Sequence, residues 1–178
     1  MNKMEFIAKL HEEQVLWEAF IGGFTPEQQV QPNVVGIWSI KAVVAHVAIW
    51  ERYATAIVRA HVRSVSGEKP PTPFEMWGLN VPPSELDNDP QNEWLVAQTS
   101  AWTMGEALGT QREVRTQMMA AVQTLSDADL SDPKLDVLGF SWKGEKPLWH
   151  VLAERSYKHA DIHIKEIRSW ALSLQVRL

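Results

Sequence analysis

The chain predicts an all-α fold, a four-helix bundle running up-down-down-up. Three observations carry that expectation: four long stretches with helical periodicity, helix-start and helix-stop residues at their ends, and one long proline-rich connection after the second. At 178 residues and 20.2 kDa the chain can fill one core but falls short of two ordinary domains. A single domain over residues 1–178 is therefore expected.

The first helix is expected over residues 2–22, with Phe6, Leu10, Trp17, Phe20 and Ile21 toward one side and Gly22-Gly23 and Pro26 stopping it. Ser39, directly after Trp38, is a good N-cap for a second helix running to about residue 64. A third is expected over residues 91–125, weakened near its middle by Gly105 and Gly109. The fourth opens at Pro147, a favoured first-turn residue, and continues to about residue 174. The connection SGEKPPTPFEMWGLNVPPSELDNDP is unusually long for a compact domain. The second helix spans about 39 Å, and an extended chain of that length can return along it. Helices two and three would then run parallel. The other two connections are long enough for a short helical turn each, and DVLGFSWKGEKP (residues 136–147) has the composition of a loop excursion.

Composition excludes several classes. The net charge is −5 and no Lys/Arg-rich run is present, so nucleic acid is not an expected partner. With no cysteine, disulfides, thiolate ligands and a cysteine nucleophile are excluded. No apolar leader opens the chain and no apolar run reaches membrane-spanning length, which predicts a cytoplasmic protein with no membrane partner. Nine tryptophans are many for this length, and the indole suits both core and pocket wall.

The chemistry is concentrated on two helices. On the second, Val43, His46, Trp50, Tyr53 and Ile57 follow steps of three and four, the stripe that faces a bundle core. Lys41, Glu51 and Arg52 fall off that stripe. On the fourth, Leu148, Leu152, Ser156, His159, His163, Ile167 and Trp170 form the same pattern, and Lys158, Asp161, Lys165 and Glu166 lie away from it. Of six histidines, three thus take interior positions. His11 and His61 sit beside charged neighbours, and His150 opens the fourth helix. Residues four apart stack on one helix face, so His159 and His163 can share an ion, with His46 reaching it from the facing helix. Three neutral imidazoles suit zinc or nickel with a position left open for water, and that metal-bound water is the expected reactive group. Trp50 and Tyr53, with Gln98 and Trp102 from the third helix, are expected to wall the pocket for a small-molecule substrate. Tyr53 is a candidate proton donor. No carboxylate is identified as a partner of the imidazoles.

These residues carry a family resemblance. GIWSIKAVVAHVAIWERY resembles the second-helix signature of the DinB/YfiT-like superfamily, and ERSYKHADIHIKEIRSW its fourth-helix H-x-x-x-H signature; TPEQQVQPNVVGIWS matches the approach to the second helix. The resemblance implies a divalent metal on His46, His159 and His163, and a metal-dependent hydrolase or a transferase of low-molecular-weight thiols acting on an electrophile. It also implies a homodimer, a state to which Met76, Trp77 and Leu79 of the crossover would contribute if they did not pack on their own helices. Tyr157-Lys158-His159, with Arg168 and Trp170, is similar to the ClbS/DfsB branch, which implies a metal-free hydrolase conferring toxin resistance as the alternative. A non-catalytic binder of a small molecule or metal is the other alternative.

Overall fold

The computed structural model describes residues 1–69, 73–80, 88–132 and 146–174. They form helices α1 (Lys3–Gly22), α2 (Pro26–Val30), α3 (Ile40–Val65), α4 (Pro73–Trp77), α5 (Asn88–Ala97), α6 (Met104–Gln123), α7 (Asp127–Ser131), α8 (Leu148–Glu154) and α9 (Tyr157–Ser173). Among the described residues there is no strand, only an isolated bridge between Val35 and Trp38. The helical class read from periodicity is the one observed.

Local chemistry sets the helix starts. Asn2, Thr25, Thr103 and Ser126 each head a helix with a capping box, their side chains accepting from the backbone three residues on while that residue's side chain reaches back. Ser39 behaves as expected: its Oγ accepts from the Ala42 N–H at 3.2 Å, and α3 begins one residue later. The connections predicted to hold a helical turn contain α2 and α7. The crossover contains α4, which seats Met76 and Trp77 in the core with Leu79 against it. Met76, Trp77 and Leu79 therefore pack on their own helices. Most of the excursion at residues 136–147 lies outside the described residues.

Two expected helices are each divided. The third is not one rod over residues 91–125. α5 begins earlier, at Asn88, and ends at Ala97, and α6 starts at Met104. Gly105 and Gly109 lie inside α6 and do not make the break. Side chains make it instead: Thr99 Oγ1 donates to the Val96 carbonyl, Thr103 caps α6, and Lys41 Nζ donates to the carbonyls of Ser100 and Trp102 at 2.9 and 2.7 Å. Those carbonyls are satisfied without a continuing helix. The fourth helix divides at Arg155-Ser156, where Ser156 leaves helical geometry (φ −125°, ψ −110°) and its Oγ donates to the Leu152 carbonyl at 2.6 Å.

α3 is the central helix. It packs most extensively on α6 and also touches α2, α4, α5, α8 and α9. The apolar core falls into two clusters, one including Phe6, Leu10, Trp50, Ile57, Leu95, Met118 and Tyr157, the other Trp17, Ile21, Val43, Val47, Ala107, Ala160 and Ile167. Where one gives way to the other along each helix, polar side chains intervene: His46 and Glu51 on α3, Gln111 and Arg115 on α6, Ser156 and His159 at the start of α9. Of these, Glu51, Gln111 and Ser156 are fully buried and Arg115 is 1% exposed. Arg115 Nη2 donates to Glu51 Oε1, and Trp17 Nε1 donates to Gln111 Oε1 at 2.8 Å.

Candidate metal centre

The structure brings the three predicted imidazoles together. His46 and His163 are buried and His159 is half-buried. His159 Nε2 lies 3.1 Å from His46 Nε2 and 3.2 Å from His163 Nε2. One candidate ligand atom from each residue can be chosen so that all lie within 4.8 Å of one another. His159 and His163 are one helical turn apart on α9, and α3 delivers His46 from across the bundle.

Whether this arrangement fits a metal can be tested on its protons. Glu166 Oε2 sits 2.7 Å from His163 Nδ1, which fixes the proton there and turns a lone pair at Nε2 toward His159. If His46 donates to His159 Nε2, two lone pairs face each other across the 3.2 Å contact. If His159 carries the proton, one N–H must be split between two acceptors. No neutral assignment gives each contact a proton of its own. A cation at the centre satisfies all three lone pairs. Two nitrogens held ~2.0–2.1 Å from one ion are about 3.0 Å apart at a right angle and about 3.4 Å apart at a tetrahedral angle, a range that brackets both contacts. The donor set therefore fits a borderline divalent ion such as zinc or nickel. Nδ1 of His46 and of His159 is buried with no hydrogen-bond partner among the described residues.

Burial governs the electrostatics. It holds His46 well below the ordinary imidazole range, with the neighbouring His159 and His163 adding to the effect. It lowers His159 to about 3, again reinforced by His163. His163 is also lowered by burial, against the pull of Glu166. All three are therefore neutral near pH 7, the form in which imidazole binds metal. A stability prediction follows for the metal-free protein. Below the unfolded-state value of about 6.5 the unfolded chain takes up protons that the folded imidazoles refuse. The folded state therefore loses stability as pH falls from about 6.5 toward 3. Urea midpoints should decline through that window, and less steeply in His46→Gln. A midpoint unchanged between pH 7 and pH 5 would contradict the neutral, buried triad.

Aromatic groups surround His46. Trp38 lies with its ring centroid 4.7 Å away, held by the tight turn in which Val34 N–H donates to the Trp38 carbonyl at 2.8 Å and Gly36 supplies a left-handed φ of +56°. Trp50 presents an edge at 6.4 Å, and its Nε1 donates to Asn92 Oδ1 of α5 at 3.0 Å. Tyr53 lies 5.7 Å from Trp50 and stacks on Trp77 at 4.5 Å; burial raises its hydroxyl above the ordinary tyrosine range, so it stays protonated. Of the predicted walls, Trp50 therefore stands beside the triad, and Tyr53 packs against Trp50 and Trp77. Gln98 turns to the crossover, accepting from the Asn80 N–H at 3.2 Å, and Trp102 packs against the second core cluster.

Glu166 was expected away from the imidazoles but partners His163; its i+3 spacing on the same helix was the available signal. Glu51, expected off the core stripe, is fully buried because α3 is enclosed on most sides. His11 is exposed as expected. The His61 side chain is only 15% exposed and lies 3.9 Å from Asp129, and His150 pairs with Glu154 at 3.4 Å, away from the triad.

A helical bundle with three converging imidazoles on two of its long helices is the class that fold and site define. The chain belongs to the DinB superfamily, whose sequence profile matches residues 8–155. No curated protein matches it significantly by sequence. Solved structures share the fold. One is described as "Sibling Lethal Factor Precursor - DfsB" (15% identity, TM-score 0.76, 99% of each chain covered). Another is the colibactin self-resistance protein ClbS in complex with double-stranded DNA (13%, TM-score 0.66, 95% of this chain and 94% of that one). A third is an uncharacterised protein from Escherichia coli UTI89 (11%, TM-score 0.67, 99% and 96%).

Proposed function

We propose that this protein is a metal-dependent enzyme, a hydrolase or a transferase of a low-molecular-weight thiol, acting on a small electrophilic or toxic compound. The observation that carries the reading is the convergence of the three Nε2 atoms, with Glu166 fixing one tautomer. When bound, a zinc or nickel ion would supply Lewis acidity. The chain's own residues do the rest. His46, His159 and His163 hold the ion as neutral imidazoles, and Glu166 orients His163. Trp38 and Trp50 exclude water from one side of the site. Tyr53, protonated at any ordinary pH, offers a hydroxyl donor rather than a base.

Protein purified without a histidine tag should carry about one divalent ion per chain. It should turn over members of an electrophile panel with or without added thiol, and lose that turnover on chelation. Absence of metal after incubation with zinc and nickel would refute the reading. The likeness to ClbS favours a second reading, self-protection against a toxin without metal, for which chelation leaves turnover unchanged. The ClbS structure contains DNA; for this chain, a net charge of −5 works against phosphate contacts, and no DNA partner is proposed. No helix among the described residues is long and apolar enough to cross a membrane, and a cytoplasmic location is part of the proposal. So is a two-fold dimer. Exposed Met4, Val15 and Leu16 of α1 and Ile162 of α9 offer apolar surface for an isologous contact. Sedimentation should show a species of about twice the chain mass; a 20.2 kDa species at micromolar concentration would exclude the dimer and leave the metal assignment standing.

A further inference from the structure

α9 carries more than two of the imidazoles. Glu166, Ser169, Trp170 and Ser173 share one face of it, at spacings of three and four residues. Opposite them stand Val34 and Val35, in the turn that closes on Trp38. Between the two lies a cavity of about 380 Å³, within the ~300–1,000 Å³ range of small-molecule sites. One side chain joins it to the candidate metal centre: Glu166 lines the cavity while its Oε2 sits 2.7 Å from His163 Nδ1.

The lining carries a single sign of charge. His163 engages one oxygen of the Glu166 carboxylate, and the other has no partner among the described residues, on a side chain that is 46% exposed. Ser173 Oγ donates its proton to the Trp170 carbonyl at 2.6 Å, which leaves the hydroxyl oxygen to accept. No basic side chain among the described residues lines the cavity. The neighbouring cations of α9 are engaged elsewhere, Lys165 with Asp161 at 2.8 Å and Arg168 over the Phe20 ring. The counter-charge is therefore left to a ligand. Val34, Val35 and the Trp170 indole, the last tilted against Phe24 at 6.1 Å, supply apolar wall, and an indole face also attracts a cation. A carboxylate, hydroxyl acceptors and an indole match an ammonium group on a small apolar body.

We infer that this cavity binds a small organic ammonium ion, with Glu166 as the residue that selects its charge. Because the same carboxylate holds His163, the cavity is coupled to the triad. An ammonium ion on Glu166 weakens the acceptor of the His163 Nδ1 proton and sets a like charge near the metal. Amine and zinc should therefore lower each other's affinity, as linkage requires of any such pair. The cavity stands on its own residues; the coupling rests on the metal-binding reading proposed above.

The test compares benzylammonium with neutral benzyl alcohol at pH 7, by calorimetry and ligand-observed NMR, on metal-free and zinc-loaded protein. Metal-free wild type should prefer benzylammonium by about tenfold or more, the size of one charge-assisted contact. Glu166→Gln should bring the two ligands within about twofold. Ser169→Leu, which fills the cavity, should lose both, with a urea midpoint near that of wild type reporting the intact fold; Ser173→Leu takes its place if it does not fold. Saturating benzylammonium should weaken zinc binding about threefold or more, and benzyl alcohol should leave it unchanged. No saturable benzylammonium binding, a preference that survives in Glu166→Gln, or wild-type binding in Ser169→Leu would overturn the site. Zinc affinity indifferent to the amine would overturn the coupling. A chain that binds no zinc defeats only the metal reading, since the metal-free comparison still decides the cavity.

Discussion

His159→Ala should abolish tight metal binding, with zinc affinity falling by well over 100-fold. Even the outer partners of metal ligands are worth 10–100-fold, and this residue is a ligand placed between the other two, 3.1 Å from His46 and 3.2 Å from His163. Removing it leaves two imidazoles on different helices with nothing between them. The fold should survive, because a half-buried side chain is truncated and a repulsive neighbour of His46 is removed with it. Competition against a chromophoric chelator reads the affinity. His11→Ala, on the exposed face of α1, should leave it unchanged. Unaltered zinc affinity in His159→Ala would remove the triad from consideration. Glu166→Gln should give a smaller loss, since the amide can still accept from His163 Nδ1 but without charge.

The second large effect is on stability. Arg115→Ala leaves Glu51 buried opposite a void, and its carboxyl, which burial already raises above the ordinary range against the pull of Arg115, loses its charged partner. Breaking a buried pair from one side costs about 3–5 kcal/mol, a large share of the whole stability of a small protein. Replacing both partners by apolar groups, Glu51→Leu with Arg115→Met, should cost much less and can even stabilise. Urea denaturation of the two single variants and the double variant gives the coupling directly. Single variants within about 1 kcal/mol of wild type would mean that the pair is hydrated and not buried.

Much of the fold was legible because its signals are local. Ser39, Asn2 and Pro147 mark helix starts through their own backbone chemistry, and the stripe from Val43 to Ile57 reads as buried from spacing alone. The triad was legible for the same reason: His159 and His163 share a face, and His46 lies on the one stripe that can oppose them. What stayed hidden depends on partners distant in sequence. The α5–α6 break relies on Lys41, some 60 residues away, to satisfy two carbonyls. Glu51 looks solvated until α3 is seen to be enclosed and Arg115 is brought to it from α6.

The division of the core into two apolar clusters by a polar tier bears on how the protein can change over generations or under engineering. A tier holding Glu51, Gln111, Arg115, Ser156 and the histidines is the place where drift toward leucine and methionine would harden the bundle most readily. On the histidine side the same drift would erase the donor set. Selection for heat tolerance alone should therefore first fill the Glu51–Arg115 side, and continued without a demand for activity it should consume the triad as well.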